Sequence, residues 1–237
     1  MANKISTVPE IDVSKFKFKI NDAKGPNAKS GKSIYFYHNG KPLYFQTPVT
    51  TTPFGITCWD ENQAVPKFTM NITLGDSSFL EKIQEIENRI IDEAFNDSQN
   101  WFKKKYANRD VVAELFSSCI RWSKDKETGE VCDKYPPTMK LNMSYINDAF
   151  TCEGYQKVTV KDQPQQINPL EISRETIYKN ASVIAIIQCS GIWVIGNKFG
   201  ATFRAVQLMR IDNGYNNGPR KIMGYAFIDD SDEECDA

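Results

Sequence analysis

The sequence reads Ile34-Tyr-Phe-Tyr-His-Asn-Gly-Lys-Pro-Leu-Tyr-Phe45, two aromatic-rich segments that flank Asn39-Gly40. An Asn-Gly pair suits the positive φ angles of a type I′ turn, so this stretch predicts a β-hairpin. Side chains alternate between the two faces of a strand, so either Tyr35 and Tyr37 or their neighbours face solvent. We expect the tyrosines outside, because their hydroxyls tolerate water.

Further β-rich runs lie on both sides of this hairpin. The run at 67–74 alternates Phe, Met, Ile and Leu on one face, which is typical of a half-buried strand. Ser190-Gly191 predicts a turn between two of the later runs. The predicted strands outside the hairpin are Gly55–Trp59, Lys67–Leu74, Met139–Tyr145, Tyr155–Val160, Ser182–Gln188, Ile192–Ile195, Thr202–Ile211 and Ile222–Ile228.

A helical segment interrupts the strands. Apolar residues recur at helical spacing from Phe79 to Ala94, and Ser78 with Glu81 predicts a capping box. A second helical pattern covers Arg109–Trp122. Strands on both sides of a helical insertion, without βαβ alternation, predict a mainly β fold. We expect an OB-type barrel with a helical insertion at about 78–122 between strands 3 and 4.

The charge of the chain is divided by position. The 237 residues are 41% hydrophobic and 25% charged, as in a globular protein, which excludes disorder as the main state. The net charge is −1, but residues 1–228 hold 29 bases and 24 acids. We therefore expect a cationic domain at 1–228 and a disordered acidic tail at 229–237. The acids of the tail are Asp229, Asp230, Asp232, Glu233, Glu234 and Asp236.

The sequence offers little for catalysis. His38 is the one histidine, which removes most catalytic triads and zinc sites. The stretch Gly25–Ser33 has five residues between its glycines where a phosphate loop needs four. Carboxylates in a mobile tail are not preorganised for a metal ion. We expect no enzyme activity, no cofactor and no metal site.

Cysteine spacing and hydropathy indicate the compartment. The six cysteines are dispersed without a CxxC pair, which favours reduced thiols in an intracellular protein. The longest apolar stretch, Val183–Ile195, is interrupted by Gln188 and Ser190 and is shorter than the roughly 20 residues of a membrane span. We expect no membrane association.

Bases and aromatics share two windows that contain no acid, residues 23–59 and 176–211. Cations can follow the phosphates of single-stranded nucleic acid while flat rings stack on unpaired bases. The competing interpretation is that these aromatics fill the core, since interior strands are poor in acids anyway. Lys103, Lys104 and Lys105, beside Trp101 and Tyr106, form a third basic and aromatic cluster, which a solvated helix end also explains. The predicted DNA-binding residues are Lys29, Lys32, Tyr35, Tyr37, Lys41, Tyr44, Trp59, Lys103, Lys104, Lys105, Trp193, Lys198, Phe199, Arg204 and Arg210.

Four strings support a family resemblance. They are Asn100-Trp-Phe-Lys-Lys-Lys105, Lys124-Asp-Lys-Glu-Thr-Gly-Glu130, Lys134-Tyr-Pro-Pro-Thr-Met-Lys140 and Ile192-Trp-Val-Ile-Gly-Asn-Lys-Phe-Gly200. They resemble the single-stranded-DNA-binding proteins of nucleocytoplasmic large DNA viruses, which are similar to the acidic-tailed phage proteins of DNA replication. The tail departs from the phage pattern, because it ends Glu234-Cys-Asp-Ala237 without an aromatic.

The resemblance implies an OB fold that coats single-stranded DNA without sequence specificity in replication, recombination and repair. It also implies a tail that docks DNA polymerase or other replication proteins. The charge of the tail separately predicts that it competes with DNA for a cationic groove. A viral protein of this kind would act in a host cytoplasmic viral factory or the nucleus. Two alternatives are also compatible with the sequence: the chain can form a homodimer, and the acidic tail can serve only to keep the protein in solution. The alternative is a structural or interaction β-sandwich of a virion or scaffold with no nucleic-acid role.

Overall fold

The computed structural model describes residues 4–21, 32–59, 66–125, 127–158 and 165–212. Most of its strands belong to one large sheet. The strands are β1 Ile5–Thr7, β2 Phe16–Asn21, β3 Lys32–His38, β4 Lys41–Pro42, β5 Tyr44–Gln46, β6 Thr50–Thr52, β7 Ile56–Trp59, β8 Lys67–Thr73, β9 Ile120–Arg121, β10 Thr138–Met143, β11 Tyr145–Ile146, β12 Ala149–Phe150, β13 Glu153–Val158, β14 Gln166–Pro169, β15 Ala181–Ile195 and β16 Lys198–Asp212. The helices are α1 Ser77–Asn96, α2 Ser98–Phe102 and α3 Arg109–Leu115, with 3-10 turns at Val8–Glu10 and Val13–Lys15.

The hairpin at Asn39-Gly40 is confirmed. Asn39 and Gly40 have φ angles of 51° and 76°, and Tyr37 pairs with Pro42 across the turn. Tyr35 is 44% exposed, whereas Ile34 and Phe36, on the other face of β3, are buried. The tyrosines therefore lie on the solvent-facing side of β3, as we expected from their polar hydroxyl groups.

The described strands do not close into the expected barrel. Their main order is β1-β5-β15-β16-β10-β8-β7, and β7 does not pair back to β1. β6 pairs with β15 and reaches β8 through side chains, because Thr50 Oγ1 donates to the Thr73 carbonyl at 2.5 Å. The mainly β class is confirmed, while a closed barrel is not found among these strands.

The hairpin of β15 and β16 is the centre of the sheet, and it differs from the prediction. Two strands with a turn at Ser190-Gly191 were expected, but β15 continues from Ala181 to Ile195. The pairing register shifts between Cys189 and Gly191, and Gly191 has a φ of 144°. An irregular position of this kind absorbs an extra residue without ending the strand. Sequence reasoning mistook the bulge for a turn.

The helices also depart from the predicted insertion at 78–122. Asp76, not Ser78, caps α1: its carboxylate accepts from the Phe79 amide at 2.8 Å. The second predicted helix corresponds to α3. It ends at Leu115 rather than Trp122, because the chain then turns back into β9, which pairs with β10. The helices lie between β8 and β9 in chain order, rather than between a third and a fourth strand.

One face of the sheet and the helices enclose the core. Apolar residues of α1 pack against it, and Trp101 of α2 is 1% exposed beside the rings of Phe18 and Phe199. The other face of β2, β3, β5, β7, β8, β10, β15 and β16 is here called the open face. None of the helices in the described ranges is long and apolar enough to cross a membrane. The predicted strand Ile222–Ile228 and the acidic tail lie outside the described residues.

Candidate nucleic-acid interface

Strand register aligns polar residues on the open face. Directly paired residues of neighbouring strands point to the same side of a sheet. Arg204 sits near the middle of one such row, and its Nη2 donates to Gln188 Oε1 at 2.5 Å. The row runs across six strands as Tyr44, Gln188, Arg204, Asn142, Thr69 and Thr57. The register thus joins residues of both acid-free windows to β10, which neither window contains.

The tyrosines of β3 lie beside lysines of β2 on the same face. Lys17 pairs with Tyr37 and Lys19 pairs with Tyr35. The Asn21 amide donates to the Tyr35 hydroxyl at 3.2 Å, which holds one edge of that ring. The two tyrosine rings are 6.5 Å apart and tilted by 58°. Exposed rings between lysines can contact unpaired bases while the cations contact phosphates.

The indole of Trp193 lies close against the backbone of β16 at Gly200. Trp193 pairs with Gly200, and a Cβ built on Gly200 would stand 2.8 Å from Cζ2 of the indole and 2.9 Å from the Ser117 carbonyl. No residue other than glycine leaves room for this approach. Trp193 and Thr202 line both of two adjoining clefts of about 270 and 250 Å³. The indole therefore forms a shared wall at the centre of the open face.

Arg121 and Lys140 line the cleft on one side of Trp193. Burial lowers the pKa of Lys140, and the nearby charge of Arg121 lowers it further. Neither side chain forms an ion pair within the described part of the chain. Two cations held close together without a carboxylate attract an anion.

A buried carboxylate holds the segment before Arg121, which lines the same cleft. Glu87 of α1 is 9% exposed, and it accepts from the Ser118 hydroxyl at 2.9 Å and from the Cys119 amide at 2.6 Å. Ser117, Ser118 and Cys119 line the same cleft as Arg121. Burial and the charge of Glu87 raise the pKa of the Cys119 thiol, so this cysteine stays protonated.

The strands hold few acids. Among the described strand residues the acids are Glu153 and Asp212. Glu153 accepts from Gln207 Nε2 at 2.6 Å, and Asp212 pairs with Arg210 at 2.9 Å. Among the described strand residues, the stretch of the open face from β2 to β7 therefore presents cations without a competing carboxylate.

The structure separates the predicted DNA-binding residues into groups. Register and exposure bring six of them to the open face: Tyr35, Tyr37, Tyr44, Trp59, Trp193 and Arg204. The prediction that Phe199 binds DNA was wrong. Its side chain is buried and packs against the rings of Trp101, Phe102 and Phe116. Lys29 and the tail residues lie outside the described ranges.

The remaining predicted cations contact the protein itself or lie away from the clefts. Lys32 donates to the Asn100 carbonyl, and Lys198 donates to the Glu114 carbonyl at 3.2 Å. Arg210 pairs with Asp212, donates to the Thr176 carbonyl and lies over a tyrosine ring. Four others are exposed but line neither of the two clefts beside Trp193: Lys41, Lys103, Lys104 and Lys105.

Several residues of the face were missed by sequence reasoning. Lys17 and Lys19 alternate with Phe16, Phe18 and Ile20, which is the pattern of a half-buried strand. The same alternation in β10 gives Lys140 and Asn142 their outward positions. Both strands lie outside the acid-free windows, so the absence of acids in the sequence does not point to them.

Comparison with solved structures finds a distant likeness. No protein-family model matches the sequence, and no curated protein matches it. The chain is similar in structure to the single-stranded DNA-binding protein from bacteriophage Enc34, solved in complex with single-stranded DNA. The two are 11% identical, the TM-score is 0.44, and the match covers 79% of this chain and 92% of that one. Similarity at this level is too low to assign a function, so the proposal below depends on the residues of the open face.

Proposed function

We propose that the chain binds single-stranded DNA on the open face, without sequence specificity and without catalysis. The observation that carries the proposal is the pair of adjoining clefts that share Trp193, since Tyr35 lines one of them and the cations Arg121 and Lys140 line the other. Cations along a groove follow the backbone, and rings stack on successive bases at about 1–3 kcal/mol per base. Stacking of this kind does not require base-edge recognition.

The extent of the face suits a short single strand. From β2 to β8 the path crosses β3, β15, β16 and β10. Strands are spaced by about 4.8 Å, so the path across the sheet measures about 24 Å. Single-stranded DNA is flexible enough to follow this path, whereas a duplex presents its bases already stacked and paired. We therefore expect a preference for single strands.

Finer parts of the function are also proposals. We propose an opened OB-type barrel, supported by the parallel pairing of β10 with β16 within an otherwise mostly antiparallel core and by the contact of β6 with β8. We propose intracellular roles in DNA replication, recombination and repair. We further propose that the acids at 229–237 compete with DNA and dock a DNA polymerase or another replication protein, since an anionic segment suits a cationic face.

A salt titration with two charge-matched variants tests DNA binding. Affinity for oligo(dT), measured by fluorescence anisotropy, should fall with salt at a slope of about −0.7 per phosphate neutralised. The triple variant Lys19→Gln, Arg121→Gln, Lys140→Gln should bind more weakly and lose about two units of that slope. The matched control is Lys103→Gln, Lys104→Gln, Lys105→Gln, which removes the same charge from the segment after α2.

The two variants distinguish three outcomes. If only the first triple variant loses affinity for oligo(dT), the open-face proposal is supported. If only the second triple variant loses affinity, the site moves to the cluster after α2, which is one of the three basic and aromatic clusters in the sequence. No binding by the unaltered protein at any salt concentration would end the DNA-binding proposal and favour a structural role.

A further inference from the structure

A larger aromatic cleft adjoins the open face beyond Arg121. It measures about 740 Å³ and lies between the loop after β6, the residues after β9 and the residues before β10. Three rings define it, and they are 57%, 43% and 61% exposed, respectively: Phe54, Trp122 and Tyr135. These rings and the cleft that they line are called the aromatic cleft below.

The exposure of these rings is not explained by packing. Burying an aromatic ring contributes strongly to folding, so large exposed rings grouped around one cleft indicate a binding surface. The core absorbs other aromatics of the chain, such as Trp101 and Phe199, to 1% and 0% exposure. The rings of the aromatic cleft are therefore available to a ligand.

The charges around the aromatic cleft select the chemistry of that ligand. Arg121 and Lys179 line it, and the Lys134 ammonium lies 5.6 Å from the centre of the Tyr135 ring. None of the described residues that line it is an acid. Flat rings with cations at the margin suit a base and its phosphate.

Arg121 connects this cleft to the cleft beside Trp193. Its side chain lines both, so a phosphate bound by Arg121 would lie between them. Arg121 also pairs with Thr138, whose neighbour across the sheet is Thr73, and both threonines line the aromatic cleft. A strand that crosses the open face reaches the aromatic cleft without leaving the protein surface.

We propose that the aromatic cleft holds unpaired bases of the same DNA strand that lies on Trp193, and so extends the footprint past Arg121. This inference rests on the proposed function, and it assigns a second stacking subsite to Phe54, Trp122 and Tyr135. The subsite is occupied only by strands long enough to pass Arg121. Short strands bind at Trp193 alone.

A length series tests the subsite. Affinities for oligo(dT) of about 6 and about 16 nucleotides are compared in the whole protein and in the double variant Trp122→Ala, Tyr135→Ala. We expect the long oligonucleotide to bind at least about ten-fold more weakly to the variant and the short one to be unaffected. Ile167→Ala, which also removes an exposed side chain, is the matched control. The conservative change Trp122→Phe should retain most of the affinity.

The outcomes separate this inference from the proposed function. If Trp193→Ala weakens both lengths and the double variant weakens neither, the subsite is wrong and binding at Trp193 stands. If no variant alters binding, the open-face proposal fails as well. Photocrosslinking with 5-iodouracil oligonucleotides gives a readout that does not depend on affinity: crosslinks at Trp122 or Tyr135 support the subsite, and crosslinks confined to Trp193 or Tyr35 overturn it.

Discussion

Gly200 and Trp193 show how one missing side chain can shape a binding surface. The indole lies against the β16 backbone because Gly200 has no Cβ, and the Ser117 carbonyl lies close to the position that a Cβ would take. One edge of the ring is fixed while Trp193 still lines two clefts. A ring that is already oriented loses little conformational entropy when a base stacks on it.

Gly200→Ala should weaken binding of single-stranded DNA by displacing this indole. The added Cβ would stand 2.8 Å from Trp193 and 2.9 Å from the Ser117 carbonyl, so the ring or the 117–119 segment must move. We expect a shift in tryptophan emission and a lower affinity for oligo(dT). Gly75→Ala is the control, because its nearest neighbour would be 3.9 Å away. Unchanged emission and affinity would show that the indole does not depend on Gly200.

Lys140 links binding to stability. Its pKa is lowered by burial and by Arg121, which means that folding disfavours its charged form. For a lysine, that destabilisation is fully present at neutral pH and is relieved as pH rises through the lowered pKa toward the ordinary value. Functional sites commonly retain such unfavourable charges.

Because Lys140 is largely exposed and solvent screens its charge, Lys140→Gln should raise the thermal midpoint at pH 7 only slightly while lowering affinity for oligo(dT). The gain in midpoint should shrink as the pH becomes alkaline, because unaltered Lys140 is then neutral too. Thermal unfolding by circular dichroism across this pH range, with anisotropy at pH 7, measures both effects. A lower midpoint at pH 7 would mean that Lys140 stabilises the fold, and would contradict its assignment as a destabilising site charge.

At the scale of elements, the sequence predicted which side chains of a strand face the core. It did not predict the residues at which helices and strands end. The outward tyrosines of β3 and the buried side of β8 follow from a period of two residues. The end of α3 did not, because its stop depends on a distant pairing: the Ser117 amide donates to the Phe199 carbonyl at 2.7 Å. The position of Arg121 in the site was not predictable for the same reason, because it depends on the pairing of β9 with β10 after the chain turns back. Helical spacing cannot report contacts of that range.

The cap of α1 offers a direct comparison of the predicted and observed residues. Asp76→Ala should lower the thermal midpoint more than Ser78→Ala, because the Asp76 carboxylate accepts from the Phe79 amide. Hydrogen bonds from Ser78 and Phe79 lower the pKa of Asp76. Its stabilising effect is therefore present above the ordinary pKa of an aspartate and is lost as pH falls through the lowered one. Equal midpoints for the two variants at pH 7 would favour the cap predicted from sequence.

At the scale of the whole molecule, charge is separated along the chain. Residues 1–228 hold 29 bases and 24 acids, while 229–237 hold six acids and no base. From β2 to β7, the described strand residues of the open face include cations and no acid except Asp212 at the end of β16. Opposite charges attached to one chain attract each other at low ionic strength, and salt weakens that attraction. A near-neutral total is therefore compatible with a surface that binds an anionic polymer.

Removal of the tail tests whether this separation regulates binding. A chain that ends at Ile228 should bind oligo(dT) more tightly than the full chain at low salt, because it has lost a competitor for the open face. The difference should narrow at high salt, where the tail is screened. A second variant with the tail acids changed to Asn or Gln separates charge from length and should match the truncation. If both variants bind like the full chain at every salt concentration, the tail does not occupy the face, and partner docking alone is left for it.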